Sequence, residues 1–196
     1  MMKSIGYYNQ NTDAFIEGTI HADMHEHYNR FLPYLPERAH ILDLGCGSGR
    51  DSLFFIKQGF SVVSVDGSKE VCKAAEKILN CEVRCLRFDE LDYHDEFNGI
   101  WACASLLHVP KAEIADIMQK ISDATKTNGV LYASFKYGNG ETIKGDRLFN
   151  NYKENDIDSI LQPSGFICKE YWISNDVRPD RQQEKWLNII ATKAQE

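Results

Sequence analysis

Residues 41–49 read Ile-Leu-Asp-Leu-Gly-Cys-Gly-Ser-Gly, and the stretch that follows, residues 50–58, has the apolar spacing of a helix. Three glycines, Gly45, Gly47 and Gly49, occupy alternate positions at the end of the apolar run. Glycine allows positive φ angles and a close approach of the backbone that a Cβ atom would prevent. A ligand can then lie against backbone amides at the N-terminus of a helix. The stretch therefore predicts a strand, a nucleotide-binding turn and a helix.

The spacing of the glycines narrows the class of ligand. In a dinucleotide-binding turn two residues separate the second glycine from the third, because the pyrophosphate must reach the end of the helix. Here Ser48 alone separates them, and Asp43 lies two positions before the first glycine. A second apolar run, residues 62–65, ends in Asp66, whose carboxylate could accept hydrogen bonds from both hydroxyls of a ribose. The early third glycine argues against a nicotinamide dinucleotide.

Length and charge limit the number of domains and the kind of partner. A chain of 196 residues with 43% hydrophobic content suffices for one well-buried domain and leaves little for a second. We expect a single domain over residues 1–196, with a helical N-terminal segment (1–36) that could act as a lid and a core (37–196). The net charge of −7 has the wrong sign for binding by neutralisation of phosphates, so a nucleic-acid partner is disfavoured.

The cysteines and the hydropathy pattern bear on the compartment. The six cysteines form no Cys-x-x-Cys pair and lie mostly in apolar runs, which predicts small buried side chains and not disulfides or zinc ligands. No stretch approaches the ~18 to 20 apolar residues of a membrane span, and no signal sequence is present at the N-terminus. We expect a cytoplasmic protein with no membrane partner. No heptad or apolar stripe indicates its oligomeric state.

Apolar periodicity predicts alternating strands and helices. Strands are predicted at residues 39–44, 61–65, 82–88, 99–105, 130–136, 166–173 and 185–192. Helices are predicted at residues 50–58, 69–79 and 156–161 and from Pro110 to about Asn128, and residues 137–151 are predicted to be a glycine-rich loop. The alternation predicts an α/β fold, a doubly wound parallel sheet of seven strands, and the short connection before the last strand makes that strand antiparallel.

Together these acidic and glycine positions resemble the S-adenosylmethionine site of class I methyltransferases, over about residues 39–193. The resemblance implies a Rossmann-like fold and S-adenosyl-L-methionine as the cofactor. It implies the following cofactor-binding residues: Asp43, Gly45, Cys46, Gly47, Gly49, Asp66, Gly67 and Ser68. Without the resemblance, the glycines fit any flexible α/β turn, and Asp66 could simply cap a helix.

The resemblance extends to the adenine and sulfonium ends of the ligand. Phe88 stands at the end of the third predicted strand, where the family places an apolar face against adenine, and Asp89 could accept from the exocyclic amine. Ala104 lies near the end of the fourth strand, which faces the sulfonium in the family. Tyr8 belongs to an aromatic N-terminal segment that could close over the site and lend its rings to the sulfonium. Ordinary packing explains those aromatic residues equally well.

The end of the fourth strand is where the family divides by substrate. Residues 102–110 lack the pattern of Asn or Asp, two prolines and an aromatic residue of enzymes that methylate adenine or glutamine, and the chain has no Pro-Cys nucleophile of a cytosine enzyme. Residues 106–108, Leu-Leu-His, and the sequence of residues 47–52 resemble the branch that methylates small molecules, including tellurite-resistance enzymes. The resemblance therefore implies a small-molecule acceptor.

Three side chains are candidates for contact with that acceptor. His108 could act as a base, since its ordinary pKa lies near neutrality, or could merely cap a following helix. Methyl transfer often needs no base, because positioning for in-line attack supplies much of the rate. Arg147 and Arg178 could bind an anionic acceptor or could pair with neighbouring carboxylates.

A metal site and three other functions are the remaining alternatives. His21, His25 and His27 have a spacing found in metal sites, but without a third ligand at a fixed place we expect a solvated helix face and no metal. The functional alternatives are a methyltransferase that acts on RNA or protein with a partner, a cofactor-binding module without catalysis, and a nicotinamide-dependent oxidoreductase.

Overall fold

The computed structural model describes residues 2–195. Its N-terminal segment is helical, as the apolar spacing predicts: α1 spans Met2–Gln10, α2 Thr12–Glu17 and α3 His25–Phe31. A short 3-10 turn that contains Pro33 ends this segment before the first strand.

A central sheet forms the body of the molecule. Seven of its strands are β1 (His40–Leu44), β2 (Ser61–Asp66), β3 (Arg84–Cys85), β4 (Phe97–Ala102), β5 (Thr125–Tyr137), β8 (Phe166–Asn175) and β9 (Lys185–Lys193). Their order is β3-β2-β1-β4-β5-β9-β8, and β9 runs in the direction opposite to the other six. The predicted α/β fold with an antiparallel last strand is confirmed.

Helices cover both faces of the sheet. On one face α3 and α4 (Arg50–Lys57) pack through Tyr28, Phe31 and Phe55 against Trp101 and Tyr132 of the sheet. The opposite face carries α6 (Ile114–Ala124) and α7 (Ile157–Leu161) over the larger apolar cluster. Burial of both faces is why β1, β4 and β5 read as nearly continuous apolar runs.

Helix α5 (Lys69–Leu79) has the same bounds as predicted, because its local signals agree with its packing. Ser68 caps the N-terminus by accepting from the Val71 amide at 3.3 Å, and Asn80 takes a left-handed conformation with φ +52° at the C-terminus. The residues that point inward recur every three or four positions, which gives the helix a single apolar face.

Residues 137–151 are a correction to the sequence analysis. Instead of a loop they contain a hairpin of β6 (Glu141–Lys144) and β7 (Arg147–Tyr152), whose second strand pairs in parallel with the end of β5. Gly145, with φ +60°, opens the two-residue turn Gly145-Asp146. A two-residue turn of this kind is a known hairpin signal, and the several other glycines nearby masked it.

Several other boundaries also differ; β5, for example, begins at Thr125 and not at residue 130, because the preceding helix ends at Ala124 and not near Asn128. The strand predicted at 82–88 is only two residues long, because it lies at the edge of the sheet with one neighbour and the chain then turns to bury Phe88. The strand predicted at 99–105 ends at Ala102, and a 3-10 turn at residues 106–108 follows it. The helix predicted from Pro110 begins at Ile114, because residues 110–113 form a separate turn closed by Glu113 N–H on the Pro110 carbonyl.

Candidate active site

The glycine loop connects the end of β1 to the start of α4. Gly45, Gly47 and Gly49 have φ angles of +82°, +54° and +75°, a region that other residues rarely occupy. A Cβ atom on Gly45 would lie 2.5 Å from Cβ of Ser105, and one on Gly47 would lie 3.1 Å from the ring of Phe15. The loop therefore needs glycine both for its backbone conformation and for close approach to its neighbours.

One cavity opens above this loop, at the carboxyl ends of β1, β2, β4 and β5. Predicted site residues that line it are Tyr8, Gly45, Cys46, Gly47, Asp66, Gly67, Phe88, Ala104, His108, Arg147 and Arg178. Four other predicted residues, Asp43, Gly49, Ser68 and Asp89, lie near the cavity but do not line it. The strands of the sheet thus bring together residues that are more than 100 positions apart in the chain.

Asp43 lies beneath the glycine loop. Its carboxylate accepts a hydrogen bond from the Ser52 hydroxyl at 2.5 Å, and the same hydroxyl lies 2.7 Å from that of Ser64. Burial raises the pKa of Asp43, and the neighbouring Asp51 carboxylate raises it further. These contacts tie β1 to α4 and β2, so Asp43 supports the loop from below.

Asp66 faces the cavity from the end of β2. Its two carboxylate oxygens accept hydrogen bonds from the amides of Gly47 at 3.1 Å and Ser68 at 2.9 Å. Burial raises its pKa, and these amide bonds oppose the rise. The carboxylate thus joins the glycine loop to the start of α5, and it also presents an acceptor to the cavity.

The two residues expected at adenine separate in the structure. Phe88 is buried and lines the cavity. Asp89 turns to the surface, where its oxygens accept from Arg87 at 3.0 and 3.1 Å. The Arg87 hydrogen bond holds the pKa of Asp89 below its ordinary value. Because this surface ion pair satisfies its carboxylate, Asp89 does not line the cavity. Arg87 does line it.

A buried ion pair in the cavity wall escaped the sequence analysis. Asp51 is 5% exposed and accepts from Arg50 at 2.7 and 2.9 Å, from the Tyr28 hydroxyl at 2.5 Å and from the Trp101 indole at 2.8 Å. Burial alone would raise the pKa of Asp51, but the charge of Arg50 and these hydrogen bonds outweigh it and lower the pKa. Tyr28 and Trp101 approach Asp51 only in the folded chain, so no local pattern identifies the group.

His108 is buried and has a partner on each ring nitrogen. Its Nδ1 lies 2.6 Å from the Leu148 carbonyl and its Nε2 lies 2.9 Å from the Tyr8 hydroxyl. A carbonyl can only accept, so Nδ1 carries the proton and Nε2 accepts from Tyr8. Burial lowers the pKa of His108 to about 4, with the Leu148 bond opposing and the charge of Arg147 assisting. The neutral imidazole thereby joins α1 to the β6–β7 hairpin.

The N-terminal segment forms the roof of the cavity. Asn9 Oδ1 accepts from the Ser68 hydroxyl at 2.8 Å and from the Glu70 amide at 3.2 Å, and Ser4 Oγ accepts from the Leu148 amide at 3.2 Å. Helix α1 therefore bridges the start of α5 and the hairpin. Whether this roof moves, as a lid would, stays a prediction.

The two arginines proposed for the acceptor differ in their partners. Arg178 donates to both oxygens of Asp176 at 2.8 and 2.6 Å, and Asp176 also accepts from Trp186 and Lys136. Burial would raise the pKa of Asp176, but the hydrogen bonds from Arg178 lower it well below its ordinary value. No carboxylate among residues 2–195 lies within 4 Å of Arg147. Arg178 is thus neutralised by the protein, and Arg147 is not.

The histidines near α3 correct another expectation. His21 and His25 are exposed, but His27 is only 4% exposed, lies against Trp172 and Tyr132, and lines the cavity. Burial lowers the pKa of His27. The three histidines therefore do not all lie on a solvated helix face. His27 points to the side on which α3 packs against the sheet.

Within residues 2–195, no group of three or more histidine, cysteine or acidic side chains is placed to hold a metal ion. Among the same residues, every helix is too short or too polar to cross a bilayer.

Comparison with known protein families and curated sequences gives two findings. Residues 41–129 match the family described as "Methyltransferase domain", a range that includes the glycine loop, Asp66, Phe88 and His108. The ubiquinone biosynthesis O-methyltransferase of Nitrobacter winogradskyi is 30% identical over 99 residues, which are 48% of this chain and 37% of that protein. The chain spans less than half the length of the curated relatives it matches.

Solved structures resemble most or nearly all of the chain. The 1,6-didemethyltoxoflavin-N1-methyltransferase of Burkholderia thailandensis, solved with 1,6-didemethyltoxoflavin and S-adenosylhomocysteine, has a TM-score of 0.80 at 21% identity, over 99% of this chain and 88% of that one. An S-adenosylmethionine-dependent methyltransferase from Methanosarcina mazei has a TM-score of 0.76 at 21% identity, over 86% of this chain and 99% of that one. The chain therefore has the Rossmann-like fold of class I methyltransferases.

Proposed function

We propose that the protein is an S-adenosylmethionine-dependent methyltransferase that acts on a small-molecule acceptor. The observation that carries this proposal is the single cavity that runs from Asp66 and Phe88, over the glycine loop, to Tyr8 and His108. The match of residues 41–129 to a methyltransferase domain and the shared fold support S-adenosylmethionine as the cofactor.

The residues present in the cavity suit that cofactor. Asp66 offers carboxylate oxygens to ribose hydroxyls, Phe88 offers an apolar face to adenine, and the amides of the glycine loop suit the methionine part. When bound, S-adenosylmethionine supplies an activated methyl group that needs only an in-line nucleophile. The protein's contribution is to position the acceptor and exclude water, which α1 and the hairpin are placed to do.

The lowered pKa of His108 bears on the need for a general base. A histidine that stays neutral down to a pH of about 4 and whose Nε2 is already occupied is a weak proton acceptor at neutral pH. We infer that His108 positions Tyr8 and the hairpin, and that the acceptor binds already able to attack.

Several features favour a small acceptor over a macromolecule. The basic patch expected of an enzyme that acts on RNA would combine Lys136, Lys144, Arg147 and Arg178. Two of these are neutralised, since Lys136 and Arg178 bond to Asp176, and Lys136 also bonds to Glu184. The α1 roof further restricts access. We propose that the protein belongs to the small-molecule branch that includes tellurite-resistance enzymes. This proposal rests only on the sequence resemblance of residues 106–108 and 47–52.

We also propose a cytoplasmic location. All six cysteines are free, and Cys81 and Cys85 are exposed. Free exposed thiols persist in a reducing compartment and become oxidised elsewhere.

The test of the proposed function is the binding of S-adenosylhomocysteine, measured by titration calorimetry. We expect Asp66→Ala to weaken binding about tenfold or more, because it removes a charged acceptor worth roughly 1.5–3 kcal/mol. Asp92→Ala is the matched control, since Asp92 is exposed and does not line the cavity. Equal affinity in wild type and Asp66→Ala would remove Asp66 from the site, and tight binding of NADH would favour an oxidoreductase.

Catalysis is tested by the release of S-adenosylhomocysteine from S-adenosylmethionine over a panel of small metabolites, tellurite and tRNA, with Asp66→Ala as the blank. Turnover with tRNA alone would favour the macromolecular alternative. Binding without turnover on any member of the panel would favour a module without catalysis.

A further inference from the structure

The positive charges in the cavity wall are paired with carboxylates except at one place. Seven lysine and arginine side chains line the cavity. Five of them have a carboxylate within 4 Å, namely Arg50, Arg87, Lys136, Arg178 and Arg181. The other two, Lys144 and Arg147, have no carboxylate partner within that distance among residues 2–195. Glu184 feels the charge of Lys144 only at longer range and is itself bonded by Lys136.

The hairpin places the two unbalanced cations side by side. Lys144 and Arg147 flank the Gly145-Asp146 turn and are direct partners in the register of β6 and β7. Like charges directly opposite each other on neighbouring strands are destabilising. A bound anion would remove this repulsion, so the hairpin is better suited to a liganded state than to an empty one.

Arg147 is held in place by aromatic rings. Its guanidinium lies 4.2 Å from the ring centre of Tyr7, 5.2 Å from that of Phe149 and 6.0 Å from that of Tyr8. Its Nε is buried and has no hydrogen-bond partner among the described residues. A fixed and partly desolvated guanidinium binds a planar carboxylate more strongly than a mobile surface arginine does.

Arg147 lines the cavity beside His108, the residue expected to contact the acceptor. Its neighbour Leu148 accepts from His108, and Tyr8 contacts both Arg147 and His108. A negatively charged acceptor also complements a cationic methyl donor electrostatically.

We propose that the β6–β7 hairpin is an anion clamp, in which Arg147 and Lys144 bind a carboxylate group of the methyl acceptor. The acceptor class is therefore a small organic acid. This inference rests on the proposed function, because it assigns the acceptor end of the same cavity. Arg178, the other arginine considered, is not part of the clamp, since Asp176 already occupies its guanidinium.

The experiment measures two affinities in separate steps. The first is that of S-adenosylhomocysteine for wild type, whose absence would contradict the proposed function and not the clamp alone. The second uses protein saturated with S-adenosylhomocysteine and titrates benzoate, benzamide and benzylamine, three probes of similar shape and different charge. We expect benzoate to bind about tenfold or more tightly than the other two.

Variants then locate the charge that makes the difference. Arg147→Met should abolish the preference for benzoate and leave the affinity for S-adenosylhomocysteine within about twofold, whereas Arg147→Lys should keep part of the preference. Lys144→Met should reduce it. Lys57→Met, on the exposed end of α4, is the matched control for loss of a charge and should change neither affinity.

Three results would overturn the clamp. One is equal or undetectable binding of all three probes to the saturated protein. Another is a preference for benzoate that survives in Arg147→Met. The third is a tenfold loss of S-adenosylhomocysteine affinity in Arg147→Met with its fold intact by circular dichroism, which would assign Arg147 to the carboxylate of the cofactor instead.

Discussion

Gly45 shows at the scale of one residue why the loop has its sequence. Its φ is +82°, and a Cβ atom there would lie 2.5 Å from Cβ of Ser105. Gly59 has nearly the same φ, +89°, but no atom within 4 Å of the Cβ position. Comparing the same substitution at Gly45 and Gly59 therefore separates the cost of backbone strain from the cost of steric overlap.

We predict that Gly59→Ala costs about 1–2 kcal/mol of stability from its positive φ alone. Gly45→Ala adds overlap with Ser105 to the same strain and should cost about 2–5 kcal/mol and abolish binding of S-adenosylhomocysteine. Urea unfolding and calorimetry measure both quantities. Equal destabilisation by the two substitutions would show that the loop has room for a Cβ atom at Gly45.

The buried His108 leads us to predict how stability depends on pH. Burial lowers its pKa to about 4, so between pH 6.5 and 4 the unfolded chain binds a proton there that the folded protein does not. The contribution of neutral His108 to the free energy of unfolding is therefore fully present above pH 6.5. It falls by on the order of 3 kcal/mol as the pH is lowered towards 4.

The measurement is the free energy of unfolding in urea at pH 7 and pH 4 for wild type and His108→Gln. Wild type should lose more stability over this range than the variant, because glutamine does not titrate. The same loss in both proteins would mean that the folded state accommodates a charged His108.

At the scale of elements, α1 is the part whose contacts suggest motion. It is attached at separate points, Tyr8 to His108, Asn9 to the start of α5 and Ser4 to the hairpin. Each attachment consists of one or two hydrogen bonds that involve a side chain, and none of them is part of the sheet, so opening of α1 would leave the sheet intact.

We predict that saturating S-adenosylhomocysteine slows amide hydrogen exchange in residues 2–17 by about tenfold or more, because a ligand bound beneath the roof stabilises its closed form. Asn9→Ala should speed exchange in the same residues without ligand. Residues 130–136 of β5 serve as the internal reference. Unchanged exchange in residues 2–17 would make the segment a fixed wall and not a lid.

The elements also show where sequence reasoning succeeds. Helix α5 was predicted with its observed bounds because Ser68, Asn80 and the apolar face all signal it locally. The β6–β7 hairpin is absent from the predicted elements, although Gly145-Asp146 is a hairpin turn, because several other glycines nearby mask that turn. Its pairing with β5 joins stretches that are distant in the sequence and has no local signal. Strand β3 was predicted too long because edge strands lack the second partner that would extend them.

At the scale of the molecule, the order of strands creates the site. Because β1 lies between β2 and β4, the crossover connections leave in opposite directions there and open a crevice at the carboxyl ends. Gly47, Asp66 and Ala104 meet at this crevice, although they come from three different strand ends. The α1 roof and the hairpin close it from the other side.

The sequence by itself determined the α/β fold and the place of the glycine loop and Asp66 at the ends of their strands. Its signals there are local: glycines that a strained turn requires, an acid at the end of an apolar run, and periodic apolar faces. These properties belong to the backbone conformation of a few consecutive residues, so they can be read without the fold.

Only the tertiary structure decided which side chains face the cavity and which charges remain unbalanced. Asp43 and Asp89 satisfy their carboxylates elsewhere, Asp51 gathers partners from α3 and β4, and Asp176 neutralises Arg178 while Arg147 has no carboxylate within 4 Å among residues 2–195. Each outcome depends on a competition between partners that are distant in the chain. Burial and charge pairing are settled only when the packed elements bring those partners within a few ångströms.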